Sequence, residues 1–360
     1  MQIPALYGAW RQEFRARERK DAVMTSSATS TTRRGWWRRH WRWPVGGLIV
    51  LVLLFLLFDY FLYPGWVTFS GPLPTAKANG LWLRYTWYFG QAREDEYAAL
   101  RVHLRQGHIH DLYAHVRHIR ANGHLKFHYP AEGRRFTDTM HRTAPGTRVF
   151  AWIYVDRKDV CVADPTIRRA MVAEAVWLVR QCGFDGIQWD YEVSLPGDSA
   201  LLRLLEDTRK ALPQAPLSVC TGLWYPMPVT HWYGWNDRTF TNVAARCDQV
   251  VVMGYDSGVF LPRAYVAFLH RQVVHVTRAV AAVNPRCRVL IGVPTYDEGG
   301  GWGHDPHVEN LTLALKGVRD GVTDPQAMPQ ALAGVALFAD YTTSSEEWQT
   351  LARDWAGTER

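Results

Sequence analysis

The chain has 360 residues, 48% of them hydrophobic and 13% aromatic, and a formal net charge of +7 at pH 7. That length allows one large domain plus a non-globular end. Residues 1–43 hold ten Lys/Arg against three Asp/Glu, which accounts for the whole excess; the rest is formally neutral, so a nucleic-acid-binding face is not expected.

The basic tail, residues 1–43, runs into an apolar stretch from Val45 to Phe58 that continues past Asp59 through Tyr60-Phe61-Leu62-Tyr63. This is close to the ~20 residues needed to cross a bilayer, so a transmembrane signal-anchor is expected over 44–64. Trp36, Trp37, Trp41 and Trp43 precede it, and Tyr63 and Trp66 follow, as suits the two membrane interfaces. Arg33, Arg34, Arg38, Arg39 and Arg42 all lie upstream. The positive-inside rule then puts the N-terminus in the cytoplasm and the rest outside the inner membrane, in the periplasm of a Gram-negative cell. Asp59 is expected at the outer interface. The competing reading is a cleaved signal peptide, with Ala76-Lys77-Ala78 as a small-x-small site; it lies farther from the apolar run than such sites normally do. Thr32-Arg33-Arg34-Gly35-Trp36-Trp37 also resembles a twin-arginine export signal, and Met24 is an alternative start.

Residues 65–79, rich in Pro, Gly and small side chains, read as a linker. Beyond them short apolar runs alternate with helical patterns. The expected strands are Leu81–Tyr85, His110–Val116, Val149–Tyr154, Gly186–Glu192, Leu217–Thr221, Gln249–Tyr255, Val289–Val293 and Val335–Phe338. Asp164-Pro165 opens a helix that Gly183 closes, Asp198 caps the next, and Ser344 with Glu347 forms a capping box. Eight strand–helix repeats predict a (β/α)8 barrel over 80–358, preceded by the single membrane helix. An open doubly wound sheet is the alternative, but no G-x-G-x-x-G follows the first strand.

The fourth strand carries the densest signal, Asp185-Gly186-Ile187-Gln188-Trp189-Asp190-Tyr191-Glu192. Its polar residues fall two apart, so Gln188, Asp190 and Glu192 share one face. Burying such a row without partners is costly, which marks a site. Met253-Gly254-Tyr255-Asp256 ends the sixth strand, and Gly292-Val293-Pro294-Thr295-Tyr296 the seventh. Together these resemble the motifs of glycoside hydrolase family 18, the chitinase family: D-x-x-D-x-D-x-E on the fourth strand, M-x-Y-D on the sixth and G-V-P-x-Y on the seventh. Asp185, Asp190 and Glu192 match, while Gln188 replaces the middle aspartate. The family's S-x-G-G is missing from the third strand, where Trp152-Ile153-Tyr154-Val155 stands, and Phe338 takes the place of a tryptophan on the last.

The resemblance implies a glycosidase acting on a glycan with 2-acetamido groups. Two carboxylates on one strand face cannot flank a sugar, and this family is an exception to the two-carboxylate rule. Glu192 would be the acid and base, Asp190 would hold the acetamido N–H, and Tyr255 would bond the acetamido oxygen. Asp185, Gln188 and Asp256 would support them, with Gln188 expected to donate a hydrogen bond to Asp190. Trp224, Tyr225, Tyr296 and Phe338 are expected to meet the sugar. Trp224 and Tyr225, with Trp232, Tyr233 and Trp235, also read as a small hydrophobic core under a loop. The other readings are a barrel that binds carbohydrate without turnover, and a hydrolase with Asp256 or Glu298 as nucleophile.

No cofactor is expected. The five cysteines form no C-x-x-C pair. His108, His110, His115, His118, His124 and His128 lack the tight spacing of a metal motif and read as solvated or capping residues. The expected partners are a polysaccharide or oligosaccharide and, through 44–64, the membrane.

Overall fold

The computed structural model describes residues 34–69, 73–75, 78–192, 197–226, 234–297 and 303–358, with residues 34–43 and Glu192 described through their backbone alone. Met24, Arg33, Ala76, Lys77, Trp232, Tyr233 and Glu298 lie outside the described residues. The chain forms two compact units, residues 1–55 and 56–360.

Helix α1 (Arg34–Phe61) has Pro44 inside it. From Pro44 to Phe61 it is long and apolar enough to cross a membrane. Leu48, Ile49, Leu51 and Leu54 are all exposed, an apolar surface that contrasts with the buried cores of soluble helices. A short turn, α2 (Tyr63–Trp66), follows. Asp59, the acidic residue in the apolar stretch, is 1% exposed and paired with Arg263 at 3.1 Å. Its charge is therefore met by an ion pair rather than by solvent.

The second unit is a closed barrel whose strands run in sequence order. They are β1 (Asn79–Leu83), β2 (Ile109–His118), β3 (Arg148–Asp156), β4 (Gly186–Glu192), β5 (Leu217–Thr221), β6 (Gln249–Met253), β7 (Arg288–Pro294) and β8 (Leu332–Phe338). Every neighbouring pair is parallel, and β1 closes on β8 through Gly80 opposite Ala336. The return helices are α3 (Glu94–Gln106), α4 (Pro130–Thr143), α5 (Pro165–Trp177), α6 (Ser199–Ala211), α7 (Asp237–Ala244), α8 (Pro262–Ala281), α9 (Leu311–Val322) and α10 (Ser345–Leu351).

The expected helix boundaries hold. Asp164 accepts from the Thr166 backbone N–H at the start of α5, and a π-turn over Leu178–Cys182 extends that helix to Gly183, whose φ of +76° ends it. Asp198 caps α6, and Ser344 and Glu347 form their reciprocal box on α10. Strand side chains then sort by parity into two packed shells. One set, including Leu81, Ile153, Trp189, Val219 and Ile291, packs between sheet and helices. The other, with Trp82, Tyr113, Phe150, Trp152, Val251 and Leu290, fills the barrel.

β1 begins at Asn79, within the stretch read as linker. Its amide is fully buried: Nδ2 donates to the Gly107 carbonyl, and Oδ1 accepts from the Val335 N–H and the Trp355 indole. A polar residue thus closes the seam between the first and last strands.

Candidate active site

A chain of hydrogen bonds rises through the barrel. At the amino ends of the strands Arg148 meets Asp111 with two bonds of 2.8 and 2.9 Å. Gln249 donates to Asp111 and accepts from both Tyr113 and Ser218. Ser218 accepts from the Gln188 Nε2 at 3.2 Å, and the Gln188 Oε1 accepts from the Trp82 indole at 2.9 Å. The Gln188 side chain is thus turned to Ser218 and Trp82, not to Asp190 as the sequence led us to expect.

One step higher on β4 is Asp190, 3% exposed. Its Oδ2 accepts from the Trp152 indole at 2.8 Å. Glu192 ends the strand, opposite Asp156 of β3. β-strand alternation keeps Gln188 and Asp190 on one side of the backbone, and their bonds place that side toward the barrel interior.

Aromatic rings wall this end. Phe338 stacks on Tyr255 with centroids 5.0 Å apart, and Trp82 meets Phe338 at 5.6 Å and Tyr255 at 6.3 Å, both edge-on. Trp152 approaches Phe338 at 6.1 Å. Burial raises the Tyr255 phenol well above its ordinary pKa, and the nearby Asp190 charge adds to the shift; Tyr255 therefore stays protonated and able to donate. His115 of β2 stacks on Trp152 at 4.1 Å, and its buried Nε2 has no hydrogen-bond partner among the described residues. Burial, aided by Arg117 and His118, lowers its pKa to about 3, so the ring is neutral near pH 7.

The loops after β6 and β7 form a second cluster beside the first. The Tyr296 hydroxyl donates to Asp256 Oδ1 at 2.6 Å, and its ring stacks on His304 at 4.2 Å. His304 Nδ1 lies 3.2 Å from Glu309 Oε2, and its Nε2 lies 3.2 Å from the Tyr296 carbonyl. The buried Glu309 also accepts from the Ser257 N–H and hydroxyl. Burial raises its pKa, opposed by these bonds. One donor atom each from Asp256, His304 and Glu309 lies within 4.8 Å of the others, a set that could hold a metal ion.

Not every expected residue is brought here. Asp185 precedes β4 at the opposite end of the barrel, where it accepts from the Val149 N–H and pairs with His141; it ties strands together. Trp224 packs under its loop: the ring stacks on His275 at 3.6 Å, the indole donates to Asp237, and its backbone bonds Gln272 in both directions. Tyr225 is half-buried, with its ring on Phe268 and its hydroxyl on the Ser257 carbonyl. Its small-core reading describes both. His124 and His128 each bond one oxygen of the buried Glu174 at 2.7 Å.

Trp82 joins the site without having been singled out, Trp152 was noted only as a departure from the third-strand motif, and His115, read as solvated or capping, is instead packed on Trp152 with its Nε2 buried. Trp152 shares strand parity with Phe150, which was a usable signal. Trp82 depends on which face of β1 points inward, and that rests on barrel closure. His304 and Glu309 come from a loop with no periodicity.

No protein-family model matches the chain, and no curated protein matches it by sequence. Solved structures do. The spore cortex-lytic enzyme SleL of Bacillus cereus is similar at 14% identity over 80% of this chain and 76% of that one, with a TM-score of 0.54. The Group IV chitinase of Ostrinia furnacalis is similar at 12% identity over 78% and 100%, with a TM-score of 0.55. The GH18 chitinase of Cycas revoluta, in complex with (GlcNAc)3, is similar at 15% identity over 77% and 99%, with a TM-score of 0.54. The barrel is a divergent form of the fold these proteins share.

Proposed function

We propose that the chain is a membrane-anchored glycoside hydrolase acting outside the cytoplasm on a glycan that contains N-acetylhexosamine, by substrate-assisted retaining catalysis. The observation that carries this reading is the buried Asp190, held by the Trp152 indole inside an aromatic wall, two residues before Glu192 on the same strand. A carboxylate enclosed this way suits a ligand that brings its own N–H and develops positive charge.

In this mechanism Glu192 gives its proton to the glycosidic oxygen as the bond to the anomeric carbon breaks. The acetamido carbonyl oxygen attacks that carbon and closes an oxazolinium ring. Asp190 accepts the acetamido N–H and balances the charge, while the Tyr255 hydroxyl donates to the acetamido oxygen. Glu192, now a carboxylate, takes a proton from the water that opens the ring, and the two inversions retain configuration. Phe338 and Tyr296 offer ring faces beside the reacting sugar. The Cycas revoluta chitinase was solved with (GlcNAc)3 and the Ostrinia furnacalis chitinase with allosamidin, which supports a carbohydrate ligand. The exposed apolar helix with arginines upstream supports the anchor and its orientation. Asp256 as a nucleophile is less favoured, because Tyr296 already holds its carboxylate.

The test is proton NMR of the first product from N-acetylglucosamine oligomers, with a thiazoline mimic of the cyclised intermediate as inhibitor. Retained configuration and competitive inhibition are expected. Glu192→Gln should lose about 10²–10⁴-fold in turnover while still binding sugar, and Asp190→Asn and Tyr255→Phe should lower kcat more than they raise KM. An inverted first product would reject the mechanism.

A further inference from the structure

The apolar stretch ends at Phe61, and its last turn is seated on the loops that carry the site. Asp59 pairs with Arg263 in the first turn of α8, just beyond the loop after β6. The same guanidinium lies over the rings of Phe58 at 5.4 Å and Tyr63 at 4.7 Å. The Tyr60 hydroxyl donates to Asp305 Oδ2 at 3.0 Å, and the Tyr60 carbonyl accepts from His307 Nε2 at 2.6 Å. Asp305 and His307 belong to the loop after β7 that also bears Tyr296, His304 and Glu309. Removing a charge from water inside an apolar segment is costly unless it is paired, so the Asp59–Arg263 pair fixes where the chain emerges.

The route that follows is indirect. Phe69 lies under Arg319 at 5.0 Å, near the far end of α9. Ala78 then bonds the Ala333 carbonyl at the start of β8, and β1 begins at Asn79. A plain tether could enter β1 directly at that end. Here the chain first docks at the catalytic end and then crosses the height of the barrel. The loops at that end also expose aromatic rings: Phe260 is 59% exposed and Tyr341 50%. Exposed aromatic residues suit the headgroup layer of a bilayer. At the opposite end, Leu73, Val283 and Met328 are among the exposed large side chains of the described residues, and they are aliphatic rather than aromatic.

We propose that the mouth of the barrel is held at the bilayer surface and that its substrate is a glycan carried on a membrane lipid. This rests on the reading of the chain as a membrane-anchored glycosidase. Docking the exit point to the loops of the site keeps the site within the headgroup layer, where a lipid-linked sugar stands.

Two measurements test it on the full chain in phosphatidylethanolamine–phosphatidylglycerol vesicles. The first is energy transfer to a headgroup-labelled lipid from a dye at Tyr341→Cys or at Val283→Cys, in a Cys161→Ser background. Stronger transfer from position 341 is expected; equal transfer, or stronger transfer from 283, overturns the orientation. The second compares one N-acetylglucosamine oligosaccharide free in solution and attached to a lipid in the vesicle. The lipid-linked form should be cleaved about 10²-fold faster at equal bulk concentration, the scale of an effective-concentration gain. The Arg263→Ala/His307→Ala double variant should lose most of that preference while keeping its rate on the free sugar. Equal rates on the two forms, or a preference unchanged in the double variant, overturn the substrate assignment. Cleavage of neither form rejects the glycosidase reading itself, and the energy transfer still decides the orientation.

Discussion

Gln188 stands where the family motif has a carboxyl group, and its neighbours explain the amide. The Ser218 hydroxyl is already donated to Gln249, so its lone pairs need a donor, while the Trp82 indole needs an acceptor. An amide meets both needs; a carboxylate meets only the second. Gln188→Glu should therefore destabilise the fold by about 1–3 kcal/mol at neutral pH. The sign with pH follows from burial, which raises the folded carboxyl pKa above its unfolded value of ~4.3. The folded variant then keeps a proton that the unfolded chain releases, so its deficit is smallest below that value and grows as pH rises toward the folded pKa. Melting curves of variant and parent from about pH 4 to about pH 8 decide it, and a deficit independent of pH would reject the account. Strand parity made the inward face of Gln188 legible. Ser218 lies beside it on the neighbouring β5, but the Trp82 partner was not legible, because only barrel closure brings β1 across from β4.

At the scale of elements, β4 and β5 match their expected limits. β6 stops at Met253, two residues early. The Gly254 N–H still reaches the Gly292 carbonyl, but Asp256 takes a φ of +52° and turns the chain away. Nothing in the linear pattern announces this turn, since Tyr255 extends the apolar run Val250-Val251-Val252-Met253. Gly254 lies so close to β7 that an added Cβ would be 2.3 Å from the Gly292 carbonyl oxygen. Gly254→Ala must push β6 and β7 apart directly below Tyr255. Overpacking of this kind costs about 1–3 kcal/mol, and turnover should fall with it as the phenol moves. Unchanged melting together with unchanged turnover would show that the strands yield without strain.

For the molecule as a whole, the alternation of strands and helices announced the barrel. The buried polar groups that lock it did not show, because Asn79 and Gln249 look like linker and surface residues in a linear chain. The thiols follow the same logic of burial. Cys161 is exposed, whereas Cys182, Cys220, Cys247 and Cys287 are buried. Burial pushes Cys182 up to about 12, and Cys247, beside Cys287 at 4.0 Å, also lies well above the usual thiol range. Only the thiolate reacts readily, so an aromatic disulfide reagent should titrate a single thiol in the native protein and all five after denaturation; a second fast native thiol would contradict this packing. The passage of the chain from Asp59 to Asn79 has a mechanical consequence. A pull on the chain ahead of Asp59 meets the Arg263 and Asp305 contacts first. The seam between β1 and β8, where a closed barrel has its chain ends, stays out of the load path until those contacts give way.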